Sequence, residues 1–374
     1  MMNPKVVVAG LGAMGSSALY HLARRGTRVV GLDRFQPPHA MGSSHGDSRI
    51  IREAYYEHPL YVPLVRRAYE LWDELARNWG KQVYRKTGGL MLGPPDGPLL
   101  TGCLASVREH GIPHKMLSAT EVGNRWRGLT PPEGFVGLWE ERAGMLFPER
   151  VVAAHLRLAA EAGAEVRTNT TLLGWSRSGE DLVLTTDRGD IRTRYLVLAL
   201  GPWISQLLPS QARDFAVERQ QFHWFDPASG YGDLGPDQYP VALWEHWPGG
   251  LFVTLPDAGN GVKIDIHHEG ESADPDTVSR VTTPEEEAAV RVLLAKFFPG
   301  ANGRLRASTV CLYTNTPDRH FVIDWHSADP GVLVLSPCSG HGFKFSSVVG
   351  EVAADLVLSG RSRFDLTPFS LTRF

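Results

Sequence analysis

A glycine-rich turn between a strand and a helix constrains the fold of this chain more than any other feature of its sequence. Residues 5–9 (KVVVA) are apolar and mostly β-branched, as in a strand that is covered on both faces. The turn at residues 10–15 (GLGAMG) follows at once, and residues 16–25 carry apolar side chains at helical spacing. Residues 28–32 predict a second strand, which ends at Asp33. Strand, glycine turn, helix, strand and acid in this order are typical of a dinucleotide-binding fold.

Each glycine of the turn has a separate purpose in such a fold. Gly10 allows the tight turn, Gly12 lets a pyrophosphate approach the N–H groups at the helix N-terminus, and Gly15 lets helix and strand pack closely. Asp33 can accept hydrogen bonds from ribose hydroxyls, which favours NAD or FAD over NADP. The alternative is a glycine-rich turn that binds no ligand.

Length and composition limit the classes of protein that remain. A chain of 374 residues is long enough for two packed domains, and 43% hydrophobic with 21% charged residues is ordinary for a globular protein. The net charge of −3 indicates neither a nucleic-acid partner nor a polybasic membrane contact. No apolar run is long enough for a membrane-spanning helix.

The cysteines indicate a reducing compartment. Cys103, Cys311 and Cys338 are far apart, with no CxxC pair and no histidine at metal-ligand spacing. We therefore expect neither a disulfide framework nor a metal site. The N-terminus shows no signal peptide with a small-residue cleavage site, so we expect a cytoplasmic protein.

The segment after Asp33 decides which dinucleotide is expected. An NAD domain would return here to a helix and a third strand, whereas residues 41–52 (MGSSHGDSRIIR) are small, polar and basic. Such a segment can wrap around a polyanion or a ring. A solvated surface loop is the alternative.

Residues 42–52 closely resemble a segment of the monomeric sarcosine oxidases and N-methyltryptophan oxidases, which are flavoenzymes. The resemblance returns at residues 263–267 (KIDIH), ahead of 274–277 (DPDT), and at 311–318 (CLYTNTPD) and 339–345 (SGHGFKF). Because these blocks keep the family's order, the resemblance covers essentially the whole chain. It implies an FAD-dependent amine oxidase of the D-amino acid oxidase-like superfamily.

The implied architecture is α/β with an α+β second domain: a Rossmann-like FAD-binding domain interleaved with a substrate domain on a mixed or antiparallel sheet. We expect the FAD-binding domain to comprise residues 1–85, 148–215 and 306–374, and the substrate domain residues 86–147 and 216–305. The interleaving follows from a later buried-type strand, YLVLAL, which resumes the nucleotide-binding sheet after an excursion.

Three further elements can be predicted from spacing. Residues 60–79 predict an amphipathic helix and residues 85–93 a single strand. Residues 343–358 predict the last helix, opened by a glycine-rich turn at 339–342.

Cys311 stands where the family's block carries a cysteine joined by a thioether to the flavin 8α-methyl group. A thiolate adds to an electrophilic flavin tautomer, so we expect a polar, accessible setting for this residue. Cys338, two residues before Gly340, is the rival attachment site. The remaining alternative for Cys311 is a small buried side chain without chemical function.

The turn Gly340-His341-Gly342 leads into the last helix, whose N-terminus carries about half a positive charge. Aimed at the flavin pyrimidine, this helix would stabilise the negative charge that builds there on reduction. The alternative is a helix N-terminus capped by Ser339 or by water. The other cofactor contacts that the resemblance implies are Arg34, Ser43, Ser44, His45, Arg49, Ile50, Tyr313, Thr314, Phe343 and Lys344.

Arg52 and Lys344 match the family positions that bind a substrate carboxylate. Arginine offers a planar two-pronged donor, and lysine adds a point charge. The alternative is that both residues are charges on the protein surface. This does not suit Lys344, because Phe343 and Phe345 flank it in the sequence. His267 matches a histidine that lines the family's substrate pocket.

Lys263 occupies the position of the family's oxygen-activating lysine. A cation near flavin N5 favours the first electron transfer to O2, because superoxide is an anion, and this predicts an oxidase. In the alternative, Lys263 projects from the solvent face of a strand. If the strand continues, His268 faces the opposite side from His267. His45 and Arg49 match residues close to the flavin ring, and Arg49 can pair electrostatically with the reduced flavin.

One wall of the substrate pocket departs from the family. The sarcosine oxidases carry a substrate-site tyrosine three residues before a proline, and that position, anchored on Pro256, is Val253 here. Counted from Glu245, the spacing differs from that of the family by one residue, so Phe252 is the other candidate for the tyrosine position. With Trp244 the wall is bulkier and lacks a phenol hydroxyl. We expect Val253 and Trp244 to contact a substrate that need not be sarcosine.

The predicted activity is oxidation of an N-substituted or cyclic amino acid to an imine, with O2 as acceptor and hydrogen peroxide as product. We expect a monomer. Three alternatives stay open: an oxidase of a cyclic imino acid in a biosynthetic pathway, a flavin amine dehydrogenase with another acceptor, and a non-catalytic nucleotide-binding subunit. An NAD-dependent dehydrogenase is supported by the start of the chain alone.

Overall fold

A computed structural model describes residues 3–374. The strands are β1 (Val6–Ala9), β2 (Val29–Leu32), β3 (Arg49–Ile51), β4 (Tyr84–Lys86), β5 (Gly89–Gly93), β6 (Lys115–Ser118), β7 (Val136–Glu140), β8 (Gly144–Leu146), β9 (Glu165–Arg167), β10 (Leu172–Ser178), β11 (Asp181–Thr186), β12 (Ile191–Thr193), β13 (Tyr195–Leu198), β14 (Ala216–Phe225), β15 (Val241–Trp247), β16 (Gly250–Leu255), β17 (Val262–His267), β18 (Leu305–Asn315), β19 (Val322–His326) and β20 (Asp329–Ser336). The helices are α1 (Ala13–Ala23), α2 (Val62–Trp79), α3 (Pro98–His110), α4 (Ala119–Arg125), α5 (Pro148–Glu161), α6 (Ile204–Leu207), α7 (Pro284–Phe297) and α8 (Ser346–Ser359). Across the described residues, no helix combines the length and the apolar character that crossing a membrane requires.

Six strands form a mostly parallel sheet in the order β19-β20-β13-β1-β2-β9. Strands β1, β2, β9, β13 and β20 run parallel, and the edge strand β19 runs antiparallel to β20. The central strands are apolar on both sides because both sides are covered. Val6 and Val8 pack into a core shared with α1 and α8, whereas Val7 and Ala9 pack against the small sheet β10-β11-β12. The predicted α/β nucleotide-binding architecture is confirmed.

Eight strands form a second sheet in the order β18-β14-β17-β16-β15-β5-β7-β6. Its pairs are antiparallel except for β5 and β15, which run parallel, so the sheet is mixed, as predicted. Side chains alternate along β15, β16 and β17 and give the sheet two different faces. Trp244, Phe252 and Ile264 enter an apolar core that Leu294 and Phe297 of α7 close. The opposite face closes a cavity.

The predicted strand at residues 85–93 is wrong, because a glycine interrupts it. Strand β4 pairs with β8 in a small sheet that also holds β3, whereas β5 belongs to the large sheet. The break lies at Gly88, where φ is +74° and a Cβ would lie 1.8 Å from the Trp139 ring. The chain therefore changes sheets at a position that only glycine can occupy.

The structure differs from the predictions at the start of the last helix and in the sheet to which residues 306–315 belong. The last helix starts as a 3-10 turn at Phe343–Phe345 and becomes α-helical at Ser346. Strand β18 pairs with β14 along its length, so residues 306–315 lie in the large sheet, and the nucleotide-binding sheet resumes at β19. The domain limits at 1–85, 148–215 and 306–374 remain a prediction.

Candidate active site

A large cavity lies where the two sheets meet. It has about 1950 Å³ of space, counted with its open mouth. The ends of the nucleotide-binding strands contribute Ala9, Leu32, Ala199 and Leu335. The large sheet contributes Leu243, Val253, Leu255, Lys263, Asp265 and His267.

The glycine turn forms a cradle at the cavity wall. Gly10 has φ +85°, and a Cβ there would lie 2.4 Å from the carbonyl oxygen of Ala199. A Cβ at Gly15 would lie 1.7 Å from the carbonyl oxygen of Gly10, so these two positions need glycine for backbone packing. Gly12 faces the cavity, where a Cβ would meet only Ser44 Oγ, at 3.2 Å. The N-terminus of α1 is thus open to an anion in the cavity.

Asp33 connects the cradle to the end of β2. Its carboxylate is buried and accepts hydrogen bonds of 2.7 Å from the backbone N–H groups of Leu11 and Phe35. Asp33 also lines the cavity, where its remaining lone pairs can accept hydrogen bonds from ribose hydroxyls. The glycine cradle, the acid and the long cavity fit an adenine dinucleotide, and Gly10, Gly12, Ser44 and Asp33 are the residues that would hold it.

Most of the predicted cofactor contacts line the cavity: Gly10, Gly12, Asp33, Arg34, Ser43, Ser44, Arg49, Ile50, Tyr313, Thr314, Gly340, His341, Gly342, Phe343 and Lys344. Gly15, His45 and Cys311 are not among the lining residues. No side chain caps the N-terminus of the 3-10 turn at Phe343–Phe345, and Ser339 Oγ instead accepts a hydrogen bond from the N–H of Thr316, so the alternative of a Ser339 cap is wrong.

Cys311 is 1% exposed, so the expected accessible setting is wrong. It is not among the lining residues, and Arg49 Nη2 lies 3.6 Å from its Sγ. Burial raises the pKa of the Cys311 thiol, and the positive charges of Arg49 and Lys263 oppose that shift. Cys338 does line the cavity, but burial raises the pKa of its thiol to about 11 and no cation opposes the shift.

Lys263 is buried and does not face solvent, so the surface alternative is wrong. Its Nζ donates hydrogen bonds of 2.9 Å to the carbonyl oxygens of Gly46 and Ser48 and lies 3.8 Å from the centroid of Phe222. Burial, followed by the charge of Arg49, lowers the pKa of Lys263 to about 7. The carbonyls and the ring stabilise a cation at the cavity wall.

Arg52 is also buried, and it holds a carboxylate that the sequence analysis missed. Its Nη2 lies 3.0 Å from Glu57 Oε2, and the guanidinium lies over the Tyr55 ring at 4.5 Å. Burial opposes both charges, but the ion pair outweighs it, so the pKa of Arg52 is raised and the pKa of Glu57 is lowered. Both side chains line the cavity. The only sequence signal for Glu57 is its position five residues after Arg52, and the fold alone makes it a partner.

Lys344 is the second buried cation of the predicted carboxylate site. Its Nζ donates to the carbonyl oxygen of His341 at 2.7 Å, and Tyr55 Oη lies 3.4 Å away. Burial lowers the pKa of Lys344 to about 7, although Glu57 opposes the shift. The surface-charge alternative for Arg52 and Lys344 is therefore wrong.

His267 lies at the end of β17, with Nδ1 3.0 Å from the Tyr313 hydroxyl. Burial lowers the pKa of His267, so its ring is neutral at physiological pH. His268 lies beyond the strand, with φ +61°, and its ring centroid is 4.2 Å from that of His267. The alternation expected of a continuing strand thus does not apply to His268.

The prediction that Trp244 contacts substrate is wrong. Trp244 is fully buried and stacks on Phe252 at 5.6 Å between centroids, on the core face of the sheet. Register pairs Leu243 with Val253, and Val253 with Asp265, on the cavity face. Val253 therefore lines the cavity as predicted, beside two residues that the sequence analysis did not select.

His45 is buried beside Phe222, 6.4 Å between ring centroids, behind the cavity wall. Its Nε2 has no hydrogen-bond partner among the described residues. Burial, reinforced by Arg49, lowers the pKa of His45 to about 3. This geometry does not bring His45 into contact with the cavity and supports no catalytic function for it.

Known proteins resemble the chain over its whole length. The model of the FAD dependent oxidoreductase family matches residues 5–356. The monomeric sarcosine oxidase of Streptomyces avermitilis is 39% identical over 98% of this chain and 97% of its own. The N-methyl-L-tryptophan oxidase of Salmonella enteritidis is 33% identical over the full length of both chains. Among solved structures, NikD, an unusual amino acid oxidase essential for nikkomycin biosynthesis, has a TM-score of 0.86 at 22% identity, covering 99% of this chain and 98% of that one.

Proposed function

Because the chain belongs to the FAD dependent oxidoreductase family, we propose that it oxidises the C–N bond of a carboxylated secondary or cyclic amine to an imine, with O2 as electron acceptor. The observation that carries this proposal is the cavity itself. Two buried cations, Arg52 and Lys344, line the same space as a dinucleotide cradle. Relatives named for N-methyl amino acids support the substrate class.

Bound FAD supplies the two-electron acceptor. Arg52 and Lys344 bind the substrate carboxylate and fix the position of the C–H bond next to nitrogen. The His267–Tyr313 pair forms a rigid, neutral wall beside the substrate. Lys263, anchored by two carbonyl oxygens, holds a positive charge where O2 gains negative charge, which favours oxygen as the acceptor. Hydrogen peroxide is the expected reduced product.

We further propose that FAD is joined to Cys311. The thiolate is the form of cysteine that reacts. Burial disfavours the Cys311 thiolate, and the positive charges of Arg49 and Lys263 oppose that effect. Arg49 lines the cavity and contacts the sulfur, so attachment would require the Arg49 side chain to move. Cys338 has no neighbouring cation to stabilise a thiolate.

The apolar pair Leu243 and Val253 favours a substrate larger than sarcosine. Their side chains supply no hydroxyl, so that part of the wall selects by shape. Cyclic amino acids such as proline and pipecolate therefore belong in the test with linear N-methyl amino acids. The protein is proposed to act as a monomer, like the relatives whose name includes that word.

Oxygen consumption and peroxide release test the proposal. The purified flavoprotein is offered sarcosine, N-methyl amino acids, proline, pipecolate and its dehydro form, and primary amino acids as the matched control. We expect one peroxide per O2 with at least one secondary or cyclic amine and much slower turnover with primary amines. Flavin reduction without oxygen consumption would identify a dehydrogenase instead, and a colourless protein would identify a non-catalytic subunit.

A further inference from the structure

Asp265 is a buried carboxylate that faces the cavity without a partner. The residue is 7% exposed, and its Oδ1 is enclosed and has no hydrogen-bond partner among the described residues. Side chains alternate along β17, so Asp265 lies on the same face as Lys263 and His267. A carboxylate in this position is costly unless something in the cavity pairs with it.

The cations that face Asp265 are engaged elsewhere. Lys263 directs its Nζ to two backbone carbonyl oxygens, at 2.9 Å each. Arg49 donates to the carbonyl oxygens of Ser43 and Ser48, at 2.9 and 2.8 Å. These contacts leave the charge of Asp265 available to a ligand. Burial raises the pKa of Asp265, and both cations oppose that shift.

We propose that Asp265 accepts a hydrogen bond from the protonated amine of the substrate and determines specificity for amines over uncharged analogues. The inference rests on the proposed function and adds a residue that recognises the nitrogen. An ammonium N–H supplies both the donor and the positive charge that the carboxylate lacks, at the part of Asp265 that lines the cavity. Leu243 and Val253, in the same cross-strand row, keep the surroundings apolar, which strengthens the pairing.

The cavity then matches the two charges of an amino acid separately. Arg52 and Lys344 supply positive charge for the carboxylate, and Asp265 supplies negative charge for the amine. Glu57 also lines the cavity, but its carboxylate is already paired with Arg52. Of these two acids, Asp265 is therefore the one that is available to a cation.

Binding of two small ligands to the holoenzyme tests the inference without turnover. N,N-dimethylglycine carries an ammonium with one N–H, and methoxyacetate has an uncharged ether oxygen in place of that nitrogen and one methyl group fewer. Both are small enough for any cavity that admits larger amino acids. Their dissociation constants are measured from the change that they cause in the flavin absorption spectrum. We expect the wild type to bind N,N-dimethylglycine at least about tenfold more tightly, as expected for a hydrogen bond between charged groups.

The isosteric variant Asp265→Asn is expected to lose that preference while its dissociation constant for methoxyacetate stays within about twofold of wild type. Asp237→Asn is the matched control, because it removes one negative charge from an exposed residue paired with Arg85. The control is expected to keep the preference.

A wild type that binds both ligands equally, or an Asp265→Asn variant that keeps the preference, overturns the inference. The wild-type comparison needs no substitution, so equal binding would overturn the inference even if the variant fails to fold. Failure of the proposed function has a different signature. A wild type that prefers the amine but consumes no oxygen with any amine contradicts the oxidase proposal and leaves the Asp265 contact standing.

Discussion

Arg52 Nη2 lies 3.0 Å from Glu57 Oε2, so the arginine expected to bind a substrate carboxylate already holds a carboxylate of the protein. The two side chains are 4% and 14% exposed, which removes most of the solvent screening between them. A substrate acid must therefore share Arg52 with Glu57 or displace it. The ion pair therefore orders the site and at the same time opposes the binding of a substrate carboxylate.

The variant Glu57→Gln should bind carboxylates more tightly than wild type. Glutamine keeps the shape and an acceptor oxygen but removes the competing charge, so the dissociation constant of methoxyacetate should fall several-fold. Arg52→Gln should raise it about 30-fold or more, because losing one partner of a buried charge pair costs about 2–5 kcal/mol. Spectral titration of the flavin gives both values. Equal weakening in the two variants would contradict a competing function for Glu57.

Reoxidation of the reduced enzyme should slow as the pH rises through about 7. Burial and then Arg49 lower the pKa of Lys263 to about 7, and the lysine carries its charge only below that value. Asp265, Cys311 and Glu149 act in the opposite direction. Stopped-flow mixing of reduced enzyme with O2 at a series of pH values measures the profile.

The variant Lys263→Met is the control for that profile. It should reoxidise at least about tenfold more slowly at neutral pH, with no inflection near pH 7, because one fixed charge next to developing charge is worth a few kcal/mol. Its anaerobic reduction by substrate should change little. An unchanged inflection in Lys263→Met would assign the titration to another group.

Cys311→Ser should release the flavin on denaturation, whereas Cys338→Ser should retain it. The expected difference follows from the cations next to Cys311 and their absence next to Cys338. Fluorescence of the protein band on a denaturing gel reports covalent flavin directly. Loss of the fluorescent band in Cys338→Ser alone would move the attachment to the cavity-lining cysteine.

Substitution at Trp244 should affect stability, and substitution at Val253 should affect substrate preference. Trp244→Phe leaves a void in the core against Phe252 and Phe297, and we expect a loss of about 1–2 kcal/mol of unfolding free energy. Its KM should stay within about twofold of wild type. Val253→Ala enlarges the cavity wall and should favour bulkier side chains. Urea denaturation and steady-state kinetics measure the two effects, and a large KM change in Trp244→Phe would contradict the assigned faces.

Local sequence patterns were sufficient to predict the nucleotide-binding part of the fold. Gly15 packs against Gly10, five residues earlier, so the spacing of the glycines reveals the turn, whereas the contact of Gly10 with Ala199 arises only in the fold. Trp244 was misplaced because neighbouring residues of a strand face opposite sides, and residue type alone did not tell whether Leu243 or Trp244 faces the cavity. Register with Val253 settles it.

Contacts between distant segments account for the other differences. Cys311 is buried among Phe222, Trp224 and Arg49, all of them distant in sequence. Asp265 is within a block that carried the family resemblance, but its lack of a partner is visible only when β17 is packed against its neighbours. Burial and partnership are properties of the fold, and residue type and spacing alone do not report them.

Anaerobic bleaching of the flavin tests whether the protein oxidises an amine whose carboxylate is bound by Arg52. N-methyl amino acids and their methyl amides, which lack the carboxylate, are mixed with wild type and with Arg52→Gln, and absorbance near the flavin maximum is followed. We expect rapid bleaching of the wild type by at least one acid, slow bleaching by its amide, and loss of the difference in Arg52→Gln. A wild type that is bleached equally by acid and amide, or by no secondary or cyclic amine, would contradict that expectation.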